Sequence, residues 1–525
     1  MTLTTKAVLA AILLAGSGSG AAQAQTVLRY VPQSDVSIMD PVANTAGVTL
    51  QHAYMVYDQL FAADERYVAQ PQMVGSHEVS ADGLTHTFRL RPGLRFHDGT
   101  PVRAADAVQS ITRWSKKDSN GQKLTEFGMA LSVVDDSTFR MTLREAFGPV
   151  ASSFAKIAAS GLVVMREADA KTDPNTPVTA TVGSGPFRFN REMWSPGNRR
   201  VYDRNPDYVP RSEPASMFAG GRVVKVDRVE WQIIADANTA VAALAAGEVD
   251  IYETPPNDLV PVLKRNPNIT VKVHNKAGNM AYLRPNQLFP PFNDVRARMA
   301  LMHMMQQEDY LRSAFGSDEA NWKTCWAVMV CGSAMGSEAG AERFGKPDVA
   351  KARQLLKESG YNGEPVLVLQ PTDQQVLRDL TEVAIAQMKA IGINVDVQAG
   401  DWAQISQRRA RKDEPSKGGW QLFATTTLSV LMFDGVSNFP IVSTCDKAWF
   451  GWPCDKDLET LRDQWIREPD DAKRKAIAVK LQERAMVSVP LIMIGQAFSP
   501  VAYRNSVTGF LEGPVPVFWN VEKRS

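Results

Sequence analysis

The hydrophobic pattern changes character along the chain. Up to about residue 235 it alternates in short runs. "TVLRYVPQ" (26–33) has the β-branched and aromatic content of a strand, and "TFRMTLREAF" (138–147), "SGPFRFNREMW" (184–194) and "VDRVEWQII" (226–234) predict further strands. "THTFRLRPGLRF" (85–96) alternates on both sides of Pro92-Gly93, which predicts a hairpin with His86 and His97 on opposite arms. "NTAVAALAAGEVDIY" (238–252) predicts a helix ending near Gly247 and then a short strand. From about 280 helical spacing dominates. One long helix is expected over 294–316, others over 346–361, 373–392 and 470–488, with strands at 393–398 and "VPLIMIGQ" (489–496). Helices alternating with strands imply a sheet covered by helices, an α/β architecture. Met302, Met304 and Met305 fall on the first of these helices and are expected to fill core.

Composition adds little beyond globularity. Of 525 residues, 44% are apolar and 22% charged, enough for more than one core. Lys and Arg number 58 against 57 Asp and Glu, so no global field draws nucleic acid or an anionic membrane. The N-terminus changes the picture more. Lys6, the apolar run "AVLAAILLAG" and the site Ala22-Gln23-Ala24 read as a secretory signal peptide, cleaved after about Ala24. The apolar run is too short for a membrane span, which takes about 20 residues. An exported, periplasmic chain is expected.

Four cysteines fit an oxidising compartment. Three connectivities are open, and proximity favours Cys325 with Cys331 and Cys445 with Cys454. Zinc is disfavoured, because there is no C-x-x-C and no nearby His pair. Nor is there an H-E-x-x-H, a Walker loop or a G-x-S-x-G; "GSGSG" (16–20) has Gly18 where a nucleophile elbow needs Ser. "VGSGPF" (182–187) is a glycine turn without dinucleotide-loop spacing. His97-Asp98 in "FHDGTP" resembles an acid–base pair. Asp-Gly followed by Thr-Pro is nevertheless what a strand–turn–helix junction needs, and the pair has no partners in view. No catalytic residue and no cofactor or metal is expected.

Five stretches then align in order with a known family. "LRFHDGTPVRAADAVQSITRW" (94–114), "VGSGPFRF" (182–189), "ALAAGEVDIYE" (243–253), "AYLRPNQLFPPFNDVRARMALMHMM" (281–305) and "QMKAIGINVDVQAGDW" (387–402) resemble the family-5 extracellular solute-binding proteins of ABC importers, the dipeptide, oligopeptide and nickel-binding group. The resemblance implies a type II two-lobe periplasmic binding protein fold with a hinge. Lobe I would comprise 25–65, 180–276 and 491–525, its extra domain 66–179, and lobe II 277–490. The chain would cross between lobes near 276–283 and 488–495. It further implies a monomer that captures a peptide or other small polar solute between the lobes and delivers it to importer membrane subunits. An exported hydrolase, or a periplasmic chaperone or sensor on the same fold, are the competing readings.

Two departures stand out. Arg103 opens the helix after the "HDGTP" turn, where the family usually has Thr or Asn, so a normal N-cap is missing at a cost of about 1 kcal/mol. Peptide-binding members carry an Asp that clamps the peptide amine. The corresponding stretch here, "GGWQLFATTTLSVLMFDGVSNF" (418–439), has no acid before Asp434. A buried ammonium needs a charge partner, so a neutral polar ligand, or one held through its carboxylate, is expected. The candidate ligand-binding residues are Ser34, Asp35 and Met39 on the first loop, Tyr54 on the next helix, Trp420, Thr425, Thr426, Thr427 and Ser429, and the aromatics Trp326, Trp449 and Trp452 on the cysteine loops. Asn286 is expected to be structural.

Overall fold

The computed structural model describes residues 25–524 apart from 37, 45, 159 and 373. The proposed signal peptide falls outside the described residues. The first lobe is built on a seven-stranded sheet in the order Ile269–Val273, Pro500–Arg504, Ile251–Tyr252, Val27–Val31, Arg228–Gln232, Arg199–Arg204, Phe187–Phe189. At its centre Val27–Val31 runs parallel to both Arg228–Gln232 and Ile251–Tyr252. The second lobe carries a six-stranded sheet: Trp322–Lys323, Ile492–Ala497, Asn279–Pro285, Leu422–Leu428, Val366–Pro371, Val395–Gly400. Its last three strands are parallel. A separate four-stranded antiparallel sheet (74–79, 85–90, 138–142, 130–133) is packed with the helix Ala104–Trp114.

The chain passes between the two main sheets at 274–278 and again at 498–499. The second passage is later than the sequence suggested. Ile492–Ala497, assigned to the returning first lobe, pairs with Asn279–Pro285 in the second sheet. Every residue of that strand is buried. A central strand buried along its whole length has no inside–outside alternation to betray which sheet it joins.

Two further expectations change. Thr85–Leu90 pairs with Val74–Val79 and Thr138–Thr142, not with 94–96. The turn lies at Gly83 (φ 72°), and 95–101 forms its own small hairpin. His86 therefore meets His77 (3.0 Å between ring nitrogens), not His97. The helix expected over 294–316 is two helices, Val295–Met304 and Gln307–Phe315. The break lets the Gln307 side chain turn inward. Its amide donates to the Cys325 and Met493 carbonyls and accepts from the Cys325 N–H. A buried amide satisfied on both sides stabilises the break.

The missing cap at Arg103 is compensated. Arg103 makes no side-chain cap, but the Asp106 carboxylate accepts from the Arg103 and Glu167 N–H groups, and the Asp136 carbonyl accepts from Ala104. Both expected disulfides are present, Cys325–Cys331 and Cys445–Cys454. His97 is a fastener between sheets. Its Nδ1 accepts from the Gly183 N–H, its Nε2 donates to the Gly185 carbonyl, and its N–H donates to the Gly183 carbonyl. Burial holds the ring well below its ordinary value, at about 4, so it is neutral.

Candidate functional site

In open α/β sheets, ligands sit outside the carboxyl ends of the parallel strands. Here both sets of carboxyl ends are turned toward the junction of the lobes. In the first lobe, strands Val27–Val31 and Ile251–Tyr252 end at Pro32 and Glu253. The Glu253 carboxyl accepts from the Gln33 N–H (2.8 Å) and from the Gln51 side-chain amide. The Tyr30 hydroxyl donates to the Gln51 oxygen (2.8 Å). Burial raises the Glu253 pKa, favouring the uncharged form.

In the second lobe, Leu422–Leu428 ends at Ser429, and a short turn Ser429–Met432 reaches the first lobe. Val430 and Ala277 share one apolar cluster with Leu50, Tyr54, Phe218 and Trp519 of the first lobe. Phe433 stacks edge-on against Tyr67 (4.7 Å). The lobes also touch further out. Gly148 N–H donates to the Ile466 carbonyl (3.0 Å), Glu145 pairs with Arg467, and Lys123 with Asp463 (3.5 Å).

One face of the second sheet is covered by the helices of 295–390; the other is lined differently. There Phe423, Thr425 and Thr427 alternate outward, with Tyr282 opposite Thr425 on the neighbouring strand. The Tyr282 and Thr427 hydroxyls are bonded (2.9 Å). Burial pushes the Tyr282 phenol up to about 12, so it stays a neutral hydroxyl. Beside it, Trp449 and Phe450 of the Cys445–Cys454 loop join Phe423 and Trp402 around the guanidinium of Arg409. Its distances to the ring centres are 4.8 Å (Trp402), 5.3 Å (Phe450), 5.8 Å (Trp449) and 5.9 Å (Phe423). The loop is held from behind by Arg284, which donates to the Phe450, Trp449, Pro440 and Pro490 carbonyls. Burial lowers Arg284 to about 10.

The sequence candidates separate on this geometry. Tyr54, Thr425, Thr427, Ser429 and Trp449 come together at or beside the junction, and the buried Ser429 hydroxyl has no partner among the described residues. Thr426 points to the opposite face, as alternation requires. Trp420 and Trp452 pack on one another (5.9 Å) beneath the box, where Trp420 Nε1 donates to the Arg409 carbonyl. They are its floor. Trp326 lies in the helical core against Phe344. Asp35 is engaged by Arg200 and the Gly197 N–H, Ser34 is exposed, and Met39 packs on the first-lobe core. Asp35 and Met39 are thus engaged within the first lobe, and Trp326 within the helical core of the second.

Sequence inspection missed Arg409, Trp402, Tyr282, Phe423, Phe450 and Glu253. A usable signal existed for Trp402: it follows Asp401, the helix cap placed directly at the end of strand Val395–Gly400. Two surface cavities, of about 420 and 680 Å³, lie at the opposite end of the second sheet, around Pro290.

Residues 68–447 match the model of the bacterial extracellular solute-binding proteins, family 5, middle region. A probable peptide ABC transporter periplasmic-binding protein of Sinorhizobium fredii is 41% identical over 493 residues, covering 93% of this chain and 92% of that one. A glutathione-binding protein of Pectobacterium atrosepticum is 25% identical, covering 92% and 91%. Among solved structures, the binding protein AgaA of A. tumefaciens R10 in complex with agropinic acid superposes with a TM-score of 0.76 at 24% identity, covering 95% and 99%.

Proposed function

Since this chain belongs to the bacterial extracellular solute-binding proteins of family 5, we propose that it is the periplasmic receptor of an ABC importer whose solute is held over the second-lobe face carrying Tyr282, Thr427 and Trp449. The two lobes close on that solute, and the importer's membrane subunits receive the closed form. The observation that carries this is the convergence of both sets of parallel-strand ends on one junction, lined by hydroxyls and aromatic rings.

Closure is driven by contacts that only the closed form makes. The Gly148–Ile466 hydrogen bond and the Glu145–Arg467 and Lys123–Asp463 pairs join the lobes and support this reading. Exposed pairs contribute little individually, at most about 1 kcal/mol each, so ligand contacts decide the equilibrium. A micromolar site needs about −8 kcal/mol net of closing costs.

No bond is made or broken. The one histidine beside an aspartate, His97, is bonded to backbone on both ring nitrogens. The protein acts as a monomer, in the periplasm, with its leader removed after about Ala24. Mass spectrometry of small molecules released from protein purified without denaturation tests the reading. A stoichiometric solute that rebinds is expected. Turnover of an ester, peptide or glycoside panel, or binding of unfolded chains without saturable solute uptake, contradicts it.

A further inference from the structure

Away from the junction, one group of buried side chains carries reactive chemistry. Lys156 is the most enclosed of the ion-paired lysines among the described residues, its side chain 8% exposed. It follows the short helix Val150–Phe154 and reaches the start of the helix Ser119–Glu126. There its Nζ donates to the Asp118 carboxylate (2.8 Å), the Ser119 hydroxyl (3.1 Å) and the Asn120 side-chain carbonyl (3.4 Å). An amine, a carboxylate and a carboxamide thus meet in one place. The last two are almost fully buried, Asp118 at 1% and Asn120 at 2% exposure.

The carboxamide is held for attack. Its Nδ2 donates to the buried Ser153 hydroxyl (3.0 Å), which turns its oxygen toward Nζ, and the Ser119 hydroxyl donates to that oxygen (3.3 Å). Gly121 sets how deeply the helix seats. A Cβ there would lie 2.4 Å from Ser115 Cα and 3.0 Å from the Trp114 ring. Asp118 is fixed as well: its carboxylate accepts from the Asn120 N–H (2.8 Å), capping the helix, and from the Ser160 hydroxyl (3.1 Å).

From this placement we infer that Lys156 and Asn120 join in an intramolecular isopeptide bond. Asp118 takes one proton from the ammonium, and the freed Nζ lone pair attacks Asn120 Cγ. The Ser119 hydroxyl steadies the amide oxygen as it gains charge. The Cγ–Nζ bond forms and the Cγ–Nδ2 bond breaks. Both protons that Nζ loses pass through Asp118 to the leaving nitrogen, which departs as ammonium, so Asp118 ends ionised as it began. The chain supplies every reacting group. Burial keeps competing water from Cγ. The bond closes the segment 120–156, which holds the strands Ala130–Val133 and Thr138–Thr142 of the four-stranded sheet.

The test is the mass of the full-length mature protein, purified after export, against its sequence with both disulfides formed. The expected mass is lower by one ammonia, and a protease digest should yield one branched peptide joining the Asn120 and Lys156 segments. Lys156→Arg and Asp118→Ser should each regain the ammonia and lose the branched peptide; serine keeps a helix cap but cannot carry the proton. Circular dichroism checks that both variants fold, and their urea midpoints should lie below that of the wild type. An unreacted wild-type mass overturns the inference. So does an ammonia loss that persists in Lys156→Arg, which marks an imide at Asn120-Gly121 instead. A branched peptide formed to the wild-type extent in Asp118→Ser overturns the role given to Asp118.

Discussion

The neutral ring of His97 accepts from one backbone group of the glycine turn and donates to another, so a second proton would break the Gly183 contact. His97 is held at about 4 and His52 at about 3, both chiefly by burial, against an ordinary value of 6.5. Between those values and 6.5 the unfolded chain binds protons that the folded chain does not. Their contribution to stability is complete above pH 6.5 and is lost as pH falls through the window down to 4 and below. Urea unfolding at stepped pH should therefore show stability declining from pH 6.5 to 4, and His97→Ala should flatten part of that decline. The same substitution should leave solute affinity within a factor of a few, because the ring fastens sheets and does not reach the junction. A large affinity loss would place His97 in the site.

At the scale of elements, the two disulfide loops look alike in sequence and differ in role. Cys325–Cys331 clips a segment whose Trp326 is core, whereas Cys445–Cys454 clips the loop that carries Trp449 and Phe450 to the box. Closing such short loops stabilises by about 2–3 kcal/mol. Replacing either pair by serines should cost a similar amount in denaturant titrations. Only the 445/454 pair should also weaken solute binding, by several-fold in calorimetry. Equal affinity loss from both pairs would refute the distinction. The difference was not legible in the sequence, where aromatic residues between close cysteines signalled rigidity but not direction. Strand and helix types were readable wherever period and capping agreed, as at Asp236 and Gly247 flanking Ala237–Ala246. They failed where a buried side chain overrode period, as at Gln307, or where a strand was buried on both faces, as at Ile492–Ala497. The hydroxyl run at 425–429 was visible. Arg409 was not, because an arginine in "QRRARKDEPSK" looks like surface until the rings around it are known.

The whole molecule joins its lobes through two short crossings, and the lobes meet again at the turn Ser429–Met432 and at the outer contacts of Glu145, Gly148 and Lys123. Reversing one outer charge, Arg467→Glu, places like charges opposite Glu145 and disfavours closure without touching the box. Affinity should fall by a few-fold at low salt, and the loss should shrink as salt screens the repulsion. A salt-independent loss would mean that the substitution acts on folding instead. The central claim is that solute is held between lobes that close upon it. Small-angle X-ray scattering of solute-stripped protein, before and after its own released solute is restored, tests this most directly. The account predicts a fall in the radius of gyration that saturates with binding. Saturable binding with an unchanged radius, matching the extended form throughout, would contradict it.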